Sequence, residues 1–226
     1  MLTVTFIRHG QSLDNPRGVW GGWKDAPLSP LGERQAAALG EHLSSTRFDY
    51  IYASTLSRAK HTGLAVHAKQ AHNPPFTENP NLREQHFGIA EGHKWVFDAP
   101  DELTNPDGSF DLEGCYARNI FPVGIERFPG GESQADLSVR ATQALRECVF
   151  PHLNEAKTKD VHVGIASHGL CIGELVSALL SFDPQDKGGV EYTGLENTAW
   201  SRAQVELLDV SRKVAWSSAH SCCVVT

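Results

Sequence analysis

What this chain lacks removes whole classes of function. It has no long basic run, and 27 acidic residues outnumber 20 basic ones for a formal charge of -7. General affinity for nucleic acid or an anionic membrane is therefore not expected, and an anionic ligand would need a local pocket of positive charge. A metal-ligand cysteine pattern is also missing. Cys115, Cys148, Cys171, Cys222 and Cys223 show no metal-ligand spacing, and an odd total of five is poor material for a disulfide framework. A reducing, cytoplasmic setting is the simpler expectation, and the Cys222-Cys223 pair reads as part of an apolar terminus. The opening apolar run, Met1 to Ile7, is cut off by Arg8 before it reaches the length of a signal peptide or a membrane span. No Pro/Gly/Ser-rich linker divides the 226 residues, 40% of them apolar, so one domain spanning 1–226 with one substantial core is expected.

What the chain does have is an alternation of short apolar runs and helical patterns. Leu2 to Ile7 reads as a strand, and Gly18 to Pro27, rich in glycine and tryptophan, as a loop able to approach a ligand closely. Ser29-Pro30 opens a helix whose packed face is Ala36, Leu39, Gly40 and Leu43. A parallel strand follows near Tyr50 to Ala53. Ser54 or Thr55 then starts a helix through Arg58, Ala59, Thr62 and Val66, closed by Pro74-Pro75. Ser133 to Pro151 is helical, Val161 to Ala166 is a strand, and Leu170 to about Leu180 is an apolar helix. Thr198 to Leu208 and Val214 to Ser217 add strands. The pattern predicts an α/β fold with a mostly parallel central sheet and helices on both faces. Residues 89–132, with little periodicity and many turn residues, read as an inserted, lid-like region over the site.

Two strand candidates end alike, in Arg8-His9-Gly10 and in Ser167-His168-Gly169. In a parallel sheet both endings fall on the carboxyl edge, where distant residues meet in one crevice. A neutral imidazole at His9 can attack phosphorus, and Arg8 offers a planar guanidinium to two phosphoryl oxygens. Arg58, at the start of the next helix, can complete the clamp or form only a surface ion pair. Backbone amides near Gly10 and a proton on His168 could supply the remaining field. Glu84 lies between Leu82 and Phe87. Burial beside phosphate would raise its pKa and let it protonate a leaving alkoxide, while pairing with Arg83 or capping a turn is the structural alternative.

Taken together, Arg8-His9-Gly10-Gln11-Ser12 with Asn15, Gly21-Gly22-Trp23-Lys24-Asp25, Leu28-Ser29-Pro30-Leu31-Gly32, Ser54 with Leu56, Arg58, Ala59 and Thr62, Leu82-Arg83-Glu84, Gly131-Glu132-Ser133 and Ser167-His168-Gly169 resemble the histidine phosphatase superfamily. The branch is the one that contains cofactor-dependent phosphoglycerate mutases and related phosphatases. The resemblance implies that His9 is the phosphorylated nucleophile, that Arg8, Arg58 and His168 complete the phosphate-binding core, and that Glu84 is proton donor and then base. It further implies that Asn15 is a phosphate ligand, that Gly21 and Gly22 pass beside the substrate, and that neither metal nor cofactor is needed.

The mutases of this family use an arginine pair in the insertion and a lysine beyond the acid segment. Lys94 matches the lysine, but no arginine pair occurs around Cys115-Tyr116-Ala117-Arg118-Asn119, and Phe87 stands where mutases have tyrosine. These departures favour a phosphatase that hydrolyses a small phosphomonoester through a phosphohistidine. Mutase-like phosphotransfer and a non-catalytic phospho-ligand-binding module are the alternatives. Arg118, Arg127, Lys94 and His93 could bind an acidic sugar phosphate, and Trp20, Trp23 and Trp95 could wall a pocket. The expected partner is a small phosphorylated metabolite, with a homo-oligomer possible.

Overall fold

A computed structural model describes residues 1–98, 100–182, 194–207 and 212–215, the side chains of 206, 207 and 212–215 excepted. The chain runs β1 (Leu2–Arg8), α1 (Pro30–His42), β2 (Tyr50–Ser54), α2 (Ser57–His67) and β3 (Phe76–Asn79). It continues through β4 (Trp95–Val96), α3 (Leu112–Ala117) and β5 (Phe121–Pro122) to α4 (Gln134–Cys148), β6 (Val161–Ser167), α5 (Gly169–Leu180), β7 (Trp200–Leu207) and β8 (Arg212–Ala215). The main sheet has six strands in the order β3-β2-β6-β1-β7-β8. Its first four are mutually parallel, while β7 and β8 are antiparallel additions.

Alternation along β1 assigns its residues to two cores. Leu2, Val4 and Phe6 pack with Leu137, Leu145, Ile172 and Leu175 of α4 and α5 on one face. Ile7 packs with Leu39, Leu43 and Val66 of α1 and α2 on the other. Both faces are covered, as a parallel sheet requires.

Helix boundaries follow local chemistry. Ser29 caps α1, accepting from Gly32 N at 3.0 Å, and Pro30 fills the first position. Ser133 caps α4 in a reciprocal box with Asp136. That helix ends at Cys148, and Pro151 lies in a separate 3-10 turn, Phe150–His152, because its ring cannot continue the α ladder. Neither Ser54 nor Thr55 caps α2, which starts at Ser57; Ser54 belongs to β2. The edge strand β3 has no counterpart in the sequence reading, and the last described strand, Arg212–Ala215, contains Val214 and Ala215 of the expected Val214–Ser217. Leu208, Trp216, Ser217, Cys222 and Cys223 lie outside the described residues.

Residues 89–132 contribute the two-stranded β4–β5 pair and α3. They are tied to the Trp20 loop by a small aromatic cluster of Phe87, Phe121 and Phe128, against which Trp20 and Tyr116 pack. No helix among the described residues is long and apolar enough to cross a membrane.

Candidate active site

Register brings the two histidines together. β1 and β6 pair in parallel with Arg8 opposite Ser167, so His9 and His168 are the next residues out of adjacent strands. Their ring centroids are 5.0 Å apart at 60°. Both rings are buried.

His9 Nδ1 lies 2.7 Å from the Gly10 carbonyl oxygen. That oxygen only accepts, so Nδ1 carries the hydrogen and Nε2 keeps its lone pair. Burial, then the charges of Arg58 and Arg8, push the His9 pKa well below its ordinary value. The ring is thereby held neutral, the form in which nitrogen is a nucleophile. His168 is displaced in the same direction by burial, Arg58, His9 and Arg8. The positive charge expected on His168 from the sequence is therefore disfavoured. Its Nε2 is 2.9 Å from Ser54 Oγ, which accepts from Leu56 N. Ser54 can give its own proton to Nε2, and that tautomer makes His168 Nδ1 a donor. This Nδ1 is buried with no hydrogen-bond partner among the described residues.

The two guanidinium groups are pinned by main-chain oxygens rather than by carboxylates. Arg58 donates to Gly22 O at 2.8 Å and Lys24 O at 3.1 Å. Arg8 Nη1 donates to Leu195 O, and its Nε is buried with no partner among the described residues. Neutral anchors fix the geometry without cancelling the charge, which leaves it available to an anion. Thr62, one turn beyond Arg58, donates to Arg58 O and accepts from Gly10 N at 3.0 Å, linking α2 to the loop after His9.

Glu84 is half-buried. Its Oε1 accepts from Cys171 N and Gln85 N at 3.0 Å each, and its Oε2 from Leu170 N at 3.2 Å. It thus sits at the N-terminus of α5, held by main-chain amides of that helix and of Gln85. It does not pair with Arg83, which donates to Thr55 Oγ1 and stacks on Trp23. Gly169 lies between the acid and the first arginine: a Cβ there would be 3.8 Å from Arg8 Nε and 4.0 Å from Glu84 Oε2.

One cavity of about 570 Å³ gathers Arg8, His9, Asn15, Gly21, Gly22, Arg58 and Glu84. His168 lies just behind it against His9. Asn15 Oδ1 accepts from Ser12 N at 2.8 Å, so the amide end of Asn15 is its donor toward an anion. Lys94 is not brought in. Its backbone bridges to Val19, its side chain is exposed, and it is not among the residues that line the cavity. Arg118, Arg127 and His93 are likewise absent from the lining. Arg127 is held by Asp136 and Ser133, and His93 packs on Phe121. Trp20 and Trp95 do form wall, whereas Trp23 donates to Glu84 O at 2.7 Å.

The sequence reading missed several residues that build this site. Arg140 reaches the carbonyls of Asn81, Arg83 and Glu84 and pairs with Glu132. Asn197 donates to His9 O at 3.0 Å from 188 positions away. Glu91 Oε1 accepts from Trp23 N at 2.7 Å and Phe87 N at 3.1 Å. Asp14 lines the cavity beside Arg17 and Lys24. None of these has a strand-end signature.

The family model for the histidine phosphatase superfamily, branch 1, matches residues 4–211. The chain belongs to this superfamily. Among curated histidine phosphatase relatives, a 2,3-bisphosphoglycerate-dependent phosphoglycerate mutase of Gloeobacter violaceus is 30% identical over 197 residues, 85% of this chain and 83% of that protein. A probable phosphoglycerate mutase of Salmonella choleraesuis is 32% identical over 181 residues, 80% of this chain and 75% of its own length. A mycobacterial glucosyl-3-phosphoglycerate phosphatase superposes with a TM-score of 0.71 at 24% identity, covering 97% of this chain and 99% of that one. A phosphoglycerate mutase from Bacillus anthracis gives 0.68 at 22%, covering 96% and 92%. The histidine phosphatase fold is common to the hydrolytic and the phosphate-transferring relatives, and the superfamily is one of enzymes.

Proposed function

We propose that this histidine phosphatase hydrolyses a small phosphomonoester in two steps, without a metal, through a phosphohistidine on His9. The observation that carries the reading is the single hydrogen bond from His9 Nδ1 to Gly10 O, which leaves Nε2 as the lone-pair nitrogen of a ring kept neutral by burial and two arginines.

In the first step Nε2 forms a bond to phosphorus as the ester P–O bond breaks, and Glu84 delivers a proton to the departing alkoxide. Water then adds to the phosphoryl group, Glu84 accepts its proton, the P–N bond breaks and inorganic phosphate leaves. Arg8 and Arg58 hold the phosphoryl oxygens, with Asn15 and the neutral His168 as further donors. Two guanidinium groups supply the charge stabilisation that a metal ion gives in other phosphatases. The substrate is a small phosphorylated metabolite, and the buried free thiols Cys115, Cys148 and Cys171 suit a reducing cytoplasm.

The names of the curated relatives favour a second reading, phosphate transfer between positions of a phosphoglycerate. The absence of Lys94, Arg118 and Arg127 from the cavity lining supports hydrolysis instead. Incubation with phosphorus-labelled substrate, rapid quenching in base and peptide mapping is expected to place label on His9. Release of free phosphate without isomer interconversion separates hydrolysis from transfer, and normal turnover by His9→Ala overturns both.

A further inference from the structure

The cavity is far larger than a phosphoryl group needs. Water occupies about 30 Å³ in the liquid, so a tetrahedral phosphoryl group takes the room of roughly three or four waters. Most of the 570 Å³ is therefore left for the alcohol. Its walls there are Trp20, Phe87, Trp95, Phe97, Val123 and Leu195. Phe97 is 69% exposed and Trp95 44%, at the rim. Apolar rings left open to water in this way are stabilised by a ligand that covers them.

Charge across the same cavity is segregated. Among the described residues that line it, the ionisable side chains besides His9 are Arg8, Arg58, Asp14 and Glu84. A bound phosphoryl group claims both arginines. A second anionic group on the substrate would then meet aromatic wall, with Asp14 and Glu84 as the remaining charges among the described lining residues. Asp14 Oδ1 pairs with Arg17 at 3.1 Å, while its Oδ2 is buried without a hydrogen-bond partner among the described residues and has Lys24 at 3.9 Å. Burying another anion against the aromatic wall, with no further cation among the described lining residues, carries a heavy desolvation cost.

We infer that the alcohol half of the substrate is uncharged and largely apolar, of the aryl-alkyl or branched-alkyl class, and that phosphoesters bearing a second carboxylate or phosphate are rejected. This rests on the phosphatase reading for its chemistry but on the cavity wall for its selectivity.

The test compares 2-phenylethyl phosphate with 3-phosphoglycerate. Both are esters of primary aliphatic alcohols, so leaving-group ability is similar and the difference reports recognition. Burying a phenyl ring is worth about tenfold or more, and kcat/KM is expected to favour the phenylethyl ester by at least about threefold; any lower ratio overturns the inference. Phe97→Lys, which puts a cation at the rim, is expected to shrink that ratio by about fivefold, and a ratio unmoved or raised counts against the wall as its source. Calorimetric titration of His9→Ala with the same two esters gives a readout that needs no turnover. Tighter binding of the phenylethyl ester supports the inference, and equal or tighter binding of 3-phosphoglycerate overturns it. A chain that prefers the apolar ester in that titration yet never labels His9 would defeat the phosphatase reading alone.

Discussion

Arg140 Nη2 donates to the main-chain carbonyl of Glu84 at 2.9 Å while Glu132 closes the same guanidinium from the other side at 2.7 Å. The remaining donors of Arg140 go to Glu132 Oε1 and to the carbonyls of Asn81 and Arg83. Arg140 never touches the cavity, yet it fixes the segment that carries the acid.

Arg140→Met leaves Glu132 with half-buried charge and takes a donor from the carbonyls of Asn81, Arg83 and Glu84, the last of which keeps Trp23 Nε1. The loss of a fully buried ion pair costs about 3–5 kcal/mol, and the partial exposure here scales this to about 2 kcal/mol, readable as a fall in Tm. Its kinetic mark separates positioning from general damage. Alkyl phosphates, which need the proton from Glu84, are expected to lose about tenfold more kcat than p-nitrophenyl phosphate, whose leaving group needs little help. Equal loss on both would leave Arg140 with a structural role only.

Four histidines shape the response to acid. His9 and His168 are held well below the ordinary imidazole pKa, His152 is lowered by burial, and His162 is pushed down to about 4, mainly by burial. Below pH of about 6.5 the unfolded chain binds protons at these rings that the folded chain refuses, so stability is flat above that pH and falls as pH drops toward 4. Urea unfolding across this range is expected to show the slope, and His162→Gln, away from the cavity, to reduce it. The acid limb of kcat/KM for the proposed phosphatase reaction is correspondingly expected below pH of about 6.5, because burial and the two arginines hold His9 neutral. A limb at or above 6.5 would show that His9 titrates as an ordinary histidine.

Gly22 has φ of 49°, and a Cβ on it would fall 2.2 Å from Glu91 Oε1 and 3.1 Å from Gln85 O. Its carbonyl is also the anchor of Arg58. Gly22→Ala must therefore shift both the glutamate and the arginine. Competitive inhibition by inorganic phosphate is expected to weaken by about tenfold, the worth of one charge-assisted contact. Unchanged inhibition would mean that Arg58 keeps its place without this loop.

Legibility in the sequence followed the kind of contact. Strands β1 and β6 announce themselves as apolar runs, and their paired endings in His9-Gly10 and His168-Gly169 land in adjacent register. Arg58 and Glu84 could be found because a charged side chain beside an apolar strand end or between Leu82 and Phe87 is a visible break in pattern. Leu195 could not, since it holds Arg8 through a carbonyl that every residue possesses. Asn197 and Arg140 act on main-chain oxygens far away in sequence, and distance of that kind has no local trace. Lys94 is the opposite case: a residue type fitting in sequence whose side chain is exposed and does not line the cavity. The edge strand β3 was hidden because Thr77 and Glu78 are exposed, which erases the apolar run.

The first turn of α1 presses directly on the loop that carries His9: a Cβ on Gly32 would lie 2.0 Å from Gln11 O, and one on Gly10 would lie 2.6 Å from Gly32 O. Two backbones welded face to face give the nucleophile no slack of its own. The pocket thus has one tightly packed end, where α1 meets the His9 loop, and one open end, where the Trp95 and Phe97 rings face water.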